Sequence, residues 1–409
     1  MKLLKKAILL LSVILLCTVF ACAEAPDLTA ETAVLIDGKT GQVLYDKNMH
    51  QQMYPASITK VATVITGLEH LDLSETITMS HYAVYSLPRG SSHISLDEGE
   101  EITVEQAVYA ALLKSANDAC NGIAEASAGS IEAFTVMMNE TAKRAGALNT
   151  NFINAHGMSE EEHVTTAYDM AMICRYALEN EDFRKAFGTY KYIMPPNNKK
   201  DEERIFINQH QMISVSEMKY DGIIGGKIGW TTPSKHTLVT AAERDGRCLV
   251  AVVLKCPKGG QYEDTAALFD YGFSKFDSVV ISGEDLPKNS GYTLEEPITL
   301  LVENGIKKEN IIFEVSEKDG EGVCTAIYPD GKEITAFACT KIPKPEPLAV
   351  NNADENGEES LFARWLSIIL KAVLALVIVI AGLFILLVLV IYIRKKIYRA
   401  KKKRKRRRR

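Results

Sequence analysis

Two rhythms of apolar residues organise the middle of this chain. Ala33–Ile36 and Val43–Tyr45 are short β-prone runs on either side of a turn-forming stretch, Asp37–Gly41, which predicts a hairpin. Thr237–Glu243 and Cys248–Leu254 flank Arg244-Asp245-Gly246-Arg247 and predict a second one. Between the hairpins the period lengthens. Val104–Leu113, Ile131–Arg144 and Ala167–Leu178 repeat their apolar residues every three or four positions, the helical spacing. Helices enclosed between terminal strands predict an α+β fold: an antiparallel sheet with a helical subdomain, residues 24–277 sharing one large core. The period shortens again after Ser278. Ile298–Val302, Ile311–Val315, Cys324–Ile327 and Ile334–Ala338 are β-prone and separated by polar turns such as Pro329-Asp330-Gly331. They predict a small all-β domain over residues 278–342 with no visible chemistry, a spacer. Residues 343–364, with Pro343, Pro345 and Pro347 and a polar run to Ser360, read as a linker.

Both ends of the chain carry uninterrupted apolar runs. Lys2, Lys5 and Lys6 precede Ala7–Phe20 and then Ala21-Cys22-Ala23, the pattern of a secretory signal over residues 1–23, with the mature chain starting at Glu24. An uncleaved anchor is the alternative. Within residues 365–393, Ala372–Ile393 is a run of 22 residues without a charge; at 1.5 Å per residue it is about 33 Å long, enough for a transmembrane helix. Trp365 and Tyr392 lie near its ends, where aromatic side chains favour the membrane interface. Residues 394–409 form a tail with 13 basic residues in 16, which the positive-inside rule places in the cytoplasm and the preceding domains outside.

Charge follows the same division. The net charge is −5, but the tail contributes 13 positive charges and the leader three, leaving −21 for residues 24–393. An acidic body excludes nucleic acid as its partner, and attraction of the tail to anionic lipid is the simpler reading of the basic run. Six cysteines remain after the leader: Cys120, Cys174, Cys248, Cys256, Cys324 and Cys339. In an exported chain they are free to form disulfides. Cys248 and Cys256 lie too far apart along one strand to bridge, while Cys324 and Cys339 are candidates across one hairpin. None has metal-ligand spacing with a histidine, and no cofactor is implied.

Candidate chemistry lies in three short motifs in fixed order. Ser57-Ile58-Thr59-Lys60 opens the apolar helical run Val61, Val64, Ile65, Leu68; Ser115-Ala116-Asn117 follows; Gly225-Gly226-Lys227-Ile228-Gly229-Trp230 precedes the second hairpin. A serine hydroxyl needs a nearby base to become a nucleophile. Residues three apart on a helix share a face, so Ser57 and Lys60 can touch. Lysine acts as a base only as the free amine, which requires burial or a second cation such as Lys227. The helix N-terminus at Ser57 supplies backbone N–H groups for an oxyanion. One Ser-x-x-Lys alone is weak evidence, since Ser216 to Lys219 repeats it in polar surroundings. His156 and His163 read as hydrogen-bonded structural residues, because the serine–lysine pair already supplies the acid–base chemistry.

With these motifs in place, the chain resembles the D-alanyl-D-alanine carboxypeptidases, the low-molecular-mass penicillin-binding proteins. The likeness also covers Ala33–Thr63, the approach to Ser115 from Ser91, and Asn149–Ala171; it runs from about Ala33 to Asp277 and more loosely to about Lys344. It implies a penicillin-binding or β-lactamase-like antiparallel sheet with a helical subdomain, and peptidoglycan stem peptides as substrate. Ser57 would be acylated, Lys60 would accept its proton, and Ser115 would relay a proton to the leaving amine. Asn117 would hold the substrate amide, and Lys227 would face the terminal carboxylate and help keep Lys60 neutral. Gly229 and Trp230 would line the substrate site, the N–H groups of Ser57 and Trp230 forming the oxyanion hole. β-Lactam antibiotics would acylate the same serine. Ile228 departs from the pattern, which has threonine there; the lost hydroxyl bond to a carboxylate is worth about 1.5–3 kcal/mol unless Thr231 or Thr232 replaces it. That departure keeps a non-catalytic peptidoglycan-binding scaffold open, alongside an endopeptidase or weak β-lactamase on the same frame.

Overall fold

A computed structural model describes residues 25–214, 217–318 and 320–342. The leader, the linker, the Ala372–Ile393 run, the basic tail and Ser216 of the second Ser-x-x-Lys all lie outside them. Among the described residues no helix is long and apolar enough to cross a membrane.

In chain order, the first hairpin is β1 (Thr32–Asp37) and β2 (Val43–Lys47), followed by a 3₁₀ turn (Ala56–Thr59) and helix α1 (Lys60–Leu68). The helical region continues with β3 (Thr76–Thr78), α2 (His81–Tyr85), β4 (Glu101–Thr103), α3 (Val104–Leu113), α4 (Asn117–Ala128), α5 (Ile131–Arg144), α6 (Ala167–Ala177) and α7 (Glu181–Gly188). A ribbon of β5 (Lys191–Met194) and β6 (Arg204–Ile207) leads to β7 (Ile223–Thr231), β8 (Lys235–Arg244), β9 (Arg247–Cys256) and α8 (Gly260–Lys275). The chain then forms β10 (Phe276–Ile281), β11 (Tyr292–Thr293), β12 (Ile298–Glu303), β13 (Ile312–Lys318), β14 (Glu321–Ile327) and β15 (Glu333–Lys341).

The central sheet is antiparallel throughout, in the order β2-β1-β9-β8-β7, so the two ends of the chain segment close one sheet around the helices between them. Its inner strands β1, β9 and β8 are buried on both faces, and their side chains alternate accordingly. Val34, Ile36, Val239, Val250, Val252 and Leu254 join the core under the helical region. Ala33, Leu35, Leu238, Leu249, Ala251 and Val253 join a second core under α8. That two-sided burial explains why these strands read as nearly continuous apolar runs. Local signals set the helix ends. Thr103 caps α3 in a reciprocal capping box with Gln106, and Gly129 ends α4 at φ 79° in the left-handed region.

Strand β7 lies at the sheet edge beside the helical region, and the site forms at this seam. Beyond α8, β10 pairs with β12, and β11, β15, β14 and β13 form a four-stranded sheet around Ile281, Leu300, Val302, Cys324 and Ala326. The Gln42 side chain hydrogen-bonds the backbone of Leu301 through both its amide groups. All six cysteines are buried and free. The register sets Cys324 opposite Phe337 and Cys339 opposite Gly322, which leaves the two thiols diagonal to each other rather than paired.

Candidate active site

Ala56, just before Ser57, takes φ 52°, a conformation alanine rarely adopts. It turns the chain sharply into the 3₁₀ turn, and α1 starts at Lys60. Helix α1 is buried from Lys60 to Gly67, so the Lys60 side chain stays inside the protein, 0 % exposed. Its Nζ donates to Ser57 Oγ at 3.0 Å and to the His156 carbonyl at 2.6 Å. On the sheet side, the Thr237 hydroxyl donates to the Pro55 carbonyl at 2.9 Å. Gly229, opposite Thr237, is what lets β7 close on this turn: a Cβ there would sit 2.4 Å from Thr237 Oγ1 and 2.9 Å from Ser57 N.

The second motif is the junction of α3 and α4. Ser115 takes φ 58°, again in the left-handed region, and α4 begins at Asn117. One left-handed residue directly before Ser57 and another at Ser115 are the kind of local strain that functional sites retain. Asp118 holds the neighbouring segment: its carboxylate accepts N–H bonds from Ile94, Leu96 and Ala119, and burial raises its pKa. The Asn117 N–H donates to the Ser92 carbonyl at 2.8 Å. The Asn117 side chain is buried, and its Oδ1 has no hydrogen-bond partner among the described residues.

The third motif brings the second lysine. Lys227, 2 % exposed on β7, donates to Ser115 Oγ at 3.1 Å and to its neighbour's carbonyl, Ile228 O, at 2.9 Å. Two serine–lysine pairs are thereby formed, Ser57–Lys60 and Ser115–Lys227, and both serines line one open cleft of about 610 Å³. Burial lowers the Lys60 pKa to about 8, against the opposing pull of the Cys120 thiol and the Asp118 carboxylate. Burial also brings Lys227 well below the lysine range, with the Lys60 charge as the second cause. The sequence suggested that the Lys227 charge keeps Lys60 neutral. Desolvation is the larger effect on both amines, and the Lys60 charge adds to it at Lys227, whereas Lys60 itself is lowered by burial.

The remaining candidates fall around the same cleft. Ile228, Gly229 and Trp230 line it, with Trp230 58 % exposed. Thr231 does not replace the hydroxyl missing at Ile228, because its Oγ1 already bonds Ser159 Oγ at 2.8 Å and Ser234 Oγ at 2.6 Å. Thr232 lies exposed on the β7–β8 turn. His156 and His163 are hydrogen-bonded inside the fold, as read from the sequence. Sequence reasoning missed Asp118, Lys258 and Gln261. The last two line the cleft at the start of α8, a helix whose weak amphipathic period gave no clear signal. The sequence sign available was Lys258-Gly259-Gly260, a cation and two breakers directly after a strand. Among the described residues no cluster of histidine, cysteine and carboxylate side chains is fit to hold a metal ion.

The family model for D-alanyl-D-alanine carboxypeptidases matches residues 20–258. The D-alanyl-D-alanine carboxypeptidase DacF of Bacillus subtilis is 33% identical over 330 residues, covering 76% of this chain and 82% of that protein. DacC of Escherichia coli is 29% identical over 63% of this chain and 64% of its own length. A D-alanyl-D-alanine carboxypeptidase structure from Mycobacterium tuberculosis superposes with a TM-score of 0.57 at 29% identity, covering 62% of this chain and 95% of that one. Penicillin-binding protein 5 of Haemophilus influenzae shares the fold, with a TM-score of 0.66 at 23% identity over 78% of this chain and 98% of its own. By its matched segment, its relatives and its architecture, the chain belongs to the D-alanyl-D-alanine carboxypeptidase family.

Proposed function

We propose that this chain removes the terminal D-alanine from peptidoglycan stem peptides through an acyl-enzyme on Ser57. The observation that carries the reading is the fully buried Lys60 amine, with a pKa of about 8, at 3.0 Å from Ser57 Oγ. An amine so placed is free base in a useful fraction of molecules near neutral pH, which an exposed lysine is not. Lys60 takes the Ser57 proton as Oγ attacks the carbonyl between the two D-alanines. The N–H groups of Ser57 and Trp230, brought together by the close approach at Gly229, stabilise the oxyanion. Ser115, bonded to Lys227, passes a proton to the leaving amine of D-alanine. Water then attacks the ester, releases the shortened peptide and returns the proton to Ser57.

Substrate binding follows from the same residues. The unpartnered Asn117 Oδ1 suits an N–H of the substrate backbone. A terminal carboxylate beside Lys227 favours the charged amine and reverses the effect of burial. Lys258 lines the same cleft and adds a second cation where Ile228 offers no donor. β-Lactams acylate Ser57 in this reading, because their strained amide takes the place of the scissile bond. The segment after α8, with its separate apolar cluster, serves as a small β domain that spaces the site from the membrane. The apolar run Ala372–Ile393 and the basic tail support a single-pass anchor with the catalytic domain outside the cytoplasm and the tail near anionic lipid.

The test is D-alanine release from a peptide ending in D-Ala-D-Ala, run beside a cross-linked peptide and a penicillin. Release from the first substrate alone supports the carboxypeptidase. Preferred cleavage of the cross-link, or fast penicillin turnover, would favour the endopeptidase or β-lactamase. Binding without any cleavage would leave a scaffold. Ile228→Thr should raise kcat/KM on the first substrate roughly ten- to a hundred-fold, the value of one hydroxyl bond to a carboxylate. An unchanged kcat/KM would show that Lys258 and Lys227 already satisfy that carboxylate.

A further inference from the structure

His163 is completely buried and lies outside the serine–lysine pairs, yet both its ring nitrogens are committed. The Ile153 N–H donates to Nδ1 at 3.2 Å, so Nδ1 carries the lone pair and the proton sits on Nε2. Nε2 in turn donates to Thr59 Oγ1 at 2.9 Å. Thr59 immediately precedes Lys60 in the turn that carries Ser57. The imidazole therefore ties the segment 149–166 to the nucleophile turn.

That segment supplies the second partner of Lys60, the His156 carbonyl at 2.6 Å. Between Ile153, whose N–H the ring accepts, and Gly157, further hydrogen bonds hold the backbone. Asn154 Oδ1 accepts from the N–H groups of His156 at 3.3 Å and Gly157 at 2.8 Å. The Thr63 hydroxyl of α1 donates to the Ala155 carbonyl at 2.5 Å. Gly157, at φ 88°, lies so close to the turn that a Cβ on it would be 1.9 Å from the Ala56 carbonyl oxygen. The position of the His156 carbonyl is thus set by a short brace whose outer end is the His163 ring.

We propose that His163 is a positioning residue for acylation: as the neutral Nε2–H tautomer it fixes the His156 carbonyl against Lys60 and thereby aims the Lys60 amine at Ser57. The inference rests on the acyl-enzyme reading above. A protonated ring would turn Nδ1 into a donor facing the Ile153 N–H, so the brace works only with the neutral imidazole. Burial, and then the Lys60 charge, hold it neutral by lowering its pKa to about 3. Cys120 and Asp118 of α4 bear on the Lys60 amine, and its charge in turn bears on Lys227 of β7 and on His156 and His163 of this segment.

The experiment is the second-order rate of acylation by a fluorescent penicillin across pH, with KM and kcat for a D-Ala-D-Ala peptide. His163→Leu should slow acylation and lower kcat at least about tenfold while KM stays within about twofold. Water admitted to Lys60 weakens the burial that depresses its pKa, so the midpoint of the acylation profile should rise by about one pH unit. Thr59→Val, which removes the acceptor and keeps the ring, should shift the midpoint the same way. His163→Gln, which restores an N–H donor to Thr59, should recover most of the rate. Wild-type rates and midpoints in both His163→Leu and Thr59→Val would overturn the proposal. So would a lost rate with an unmoved midpoint and no rescue by His163→Gln, which marks a merely structural histidine. If His163→Leu does not fold, Thr59→Val and His163→Gln decide the question. No labelling of the wild-type protein would overturn the parent reading and this one with it.

Discussion

Ser57→Ala should abolish penicillin labelling and cut D-alanine release by on the order of a million-fold, the scale seen when a serine nucleophile is deleted. The size follows from what is lost. Without Oγ there is no covalent intermediate, and the two remaining contributions, binding and the oxyanion donors, act only on direct attack by water. The fold should survive. Lys60 loses one hydrogen bond, worth about 1 kcal/mol, but keeps the His156 carbonyl. Circular dichroism and thermal melting should therefore match the wild type to within a few degrees. Labelling that persisted in this variant would move the nucleophile elsewhere in the cleft, with Ser115 the nearest alternative.

Lys60→Met should lower the acylation rate about 10²- to 10⁴-fold, the usual contribution of a positioned general base. Met nearly conserves the volume, so the test isolates the amine. In the folded protein the Lys60 pKa is about 8, below its ordinary value of 10.5. The folded state therefore binds fewer protons than the unfolded one between those values, and stability rises with pH across that window. Below pH 8 the full cost of keeping the ammonium buried is present, roughly 3 kcal/mol by the size of the shift. Met removes that cost and leaves the His156 carbonyl without its donor, a loss of about 1–3 kcal/mol. The two nearly cancel, so the variant should be folded and inactive. The same pKa governs wild-type kinetics: acylation should rise about tenfold per pH unit from pH 6 to 7 and level off above pH 8. A flat profile over that range would remove Lys60 as the base.

How much of this was legible in the sequence depends on the range of the interaction that fixes each feature. Helices α3 and α5 run as their apolar spacing predicted, because that spacing is local and their caps are local. Both hairpins were readable from turn residues. Helix α8 was not, since Gly260–Lys275 covers one face of the sheet with scattered small and aromatic side chains rather than a strict stripe. The five candidate residues Ser57, Lys60, Ser115, Asn117 and Lys227 were picked out by motif spacing, and the structure pairs Ser57 with Lys60 and Ser115 with Lys227. Their electrostatics were harder to read. The Lys60 and Lys227 pKa values are set mainly by burial, which three-dimensional packing decides. The brace through Thr59 and His163 joins residues 104 positions apart, a pairing that no local pattern encodes. The engagement of Thr231 by Ser159 is hidden for the same reason.

The most direct test of the account is the mass of the wild-type protein after exposure to penicillin, followed by mapping of the adduct to a peptide. A single acyl adduct is expected, on the peptide containing Ser57, at that serine. An unmodified folded protein, or an adduct on any other residue, would contradict it.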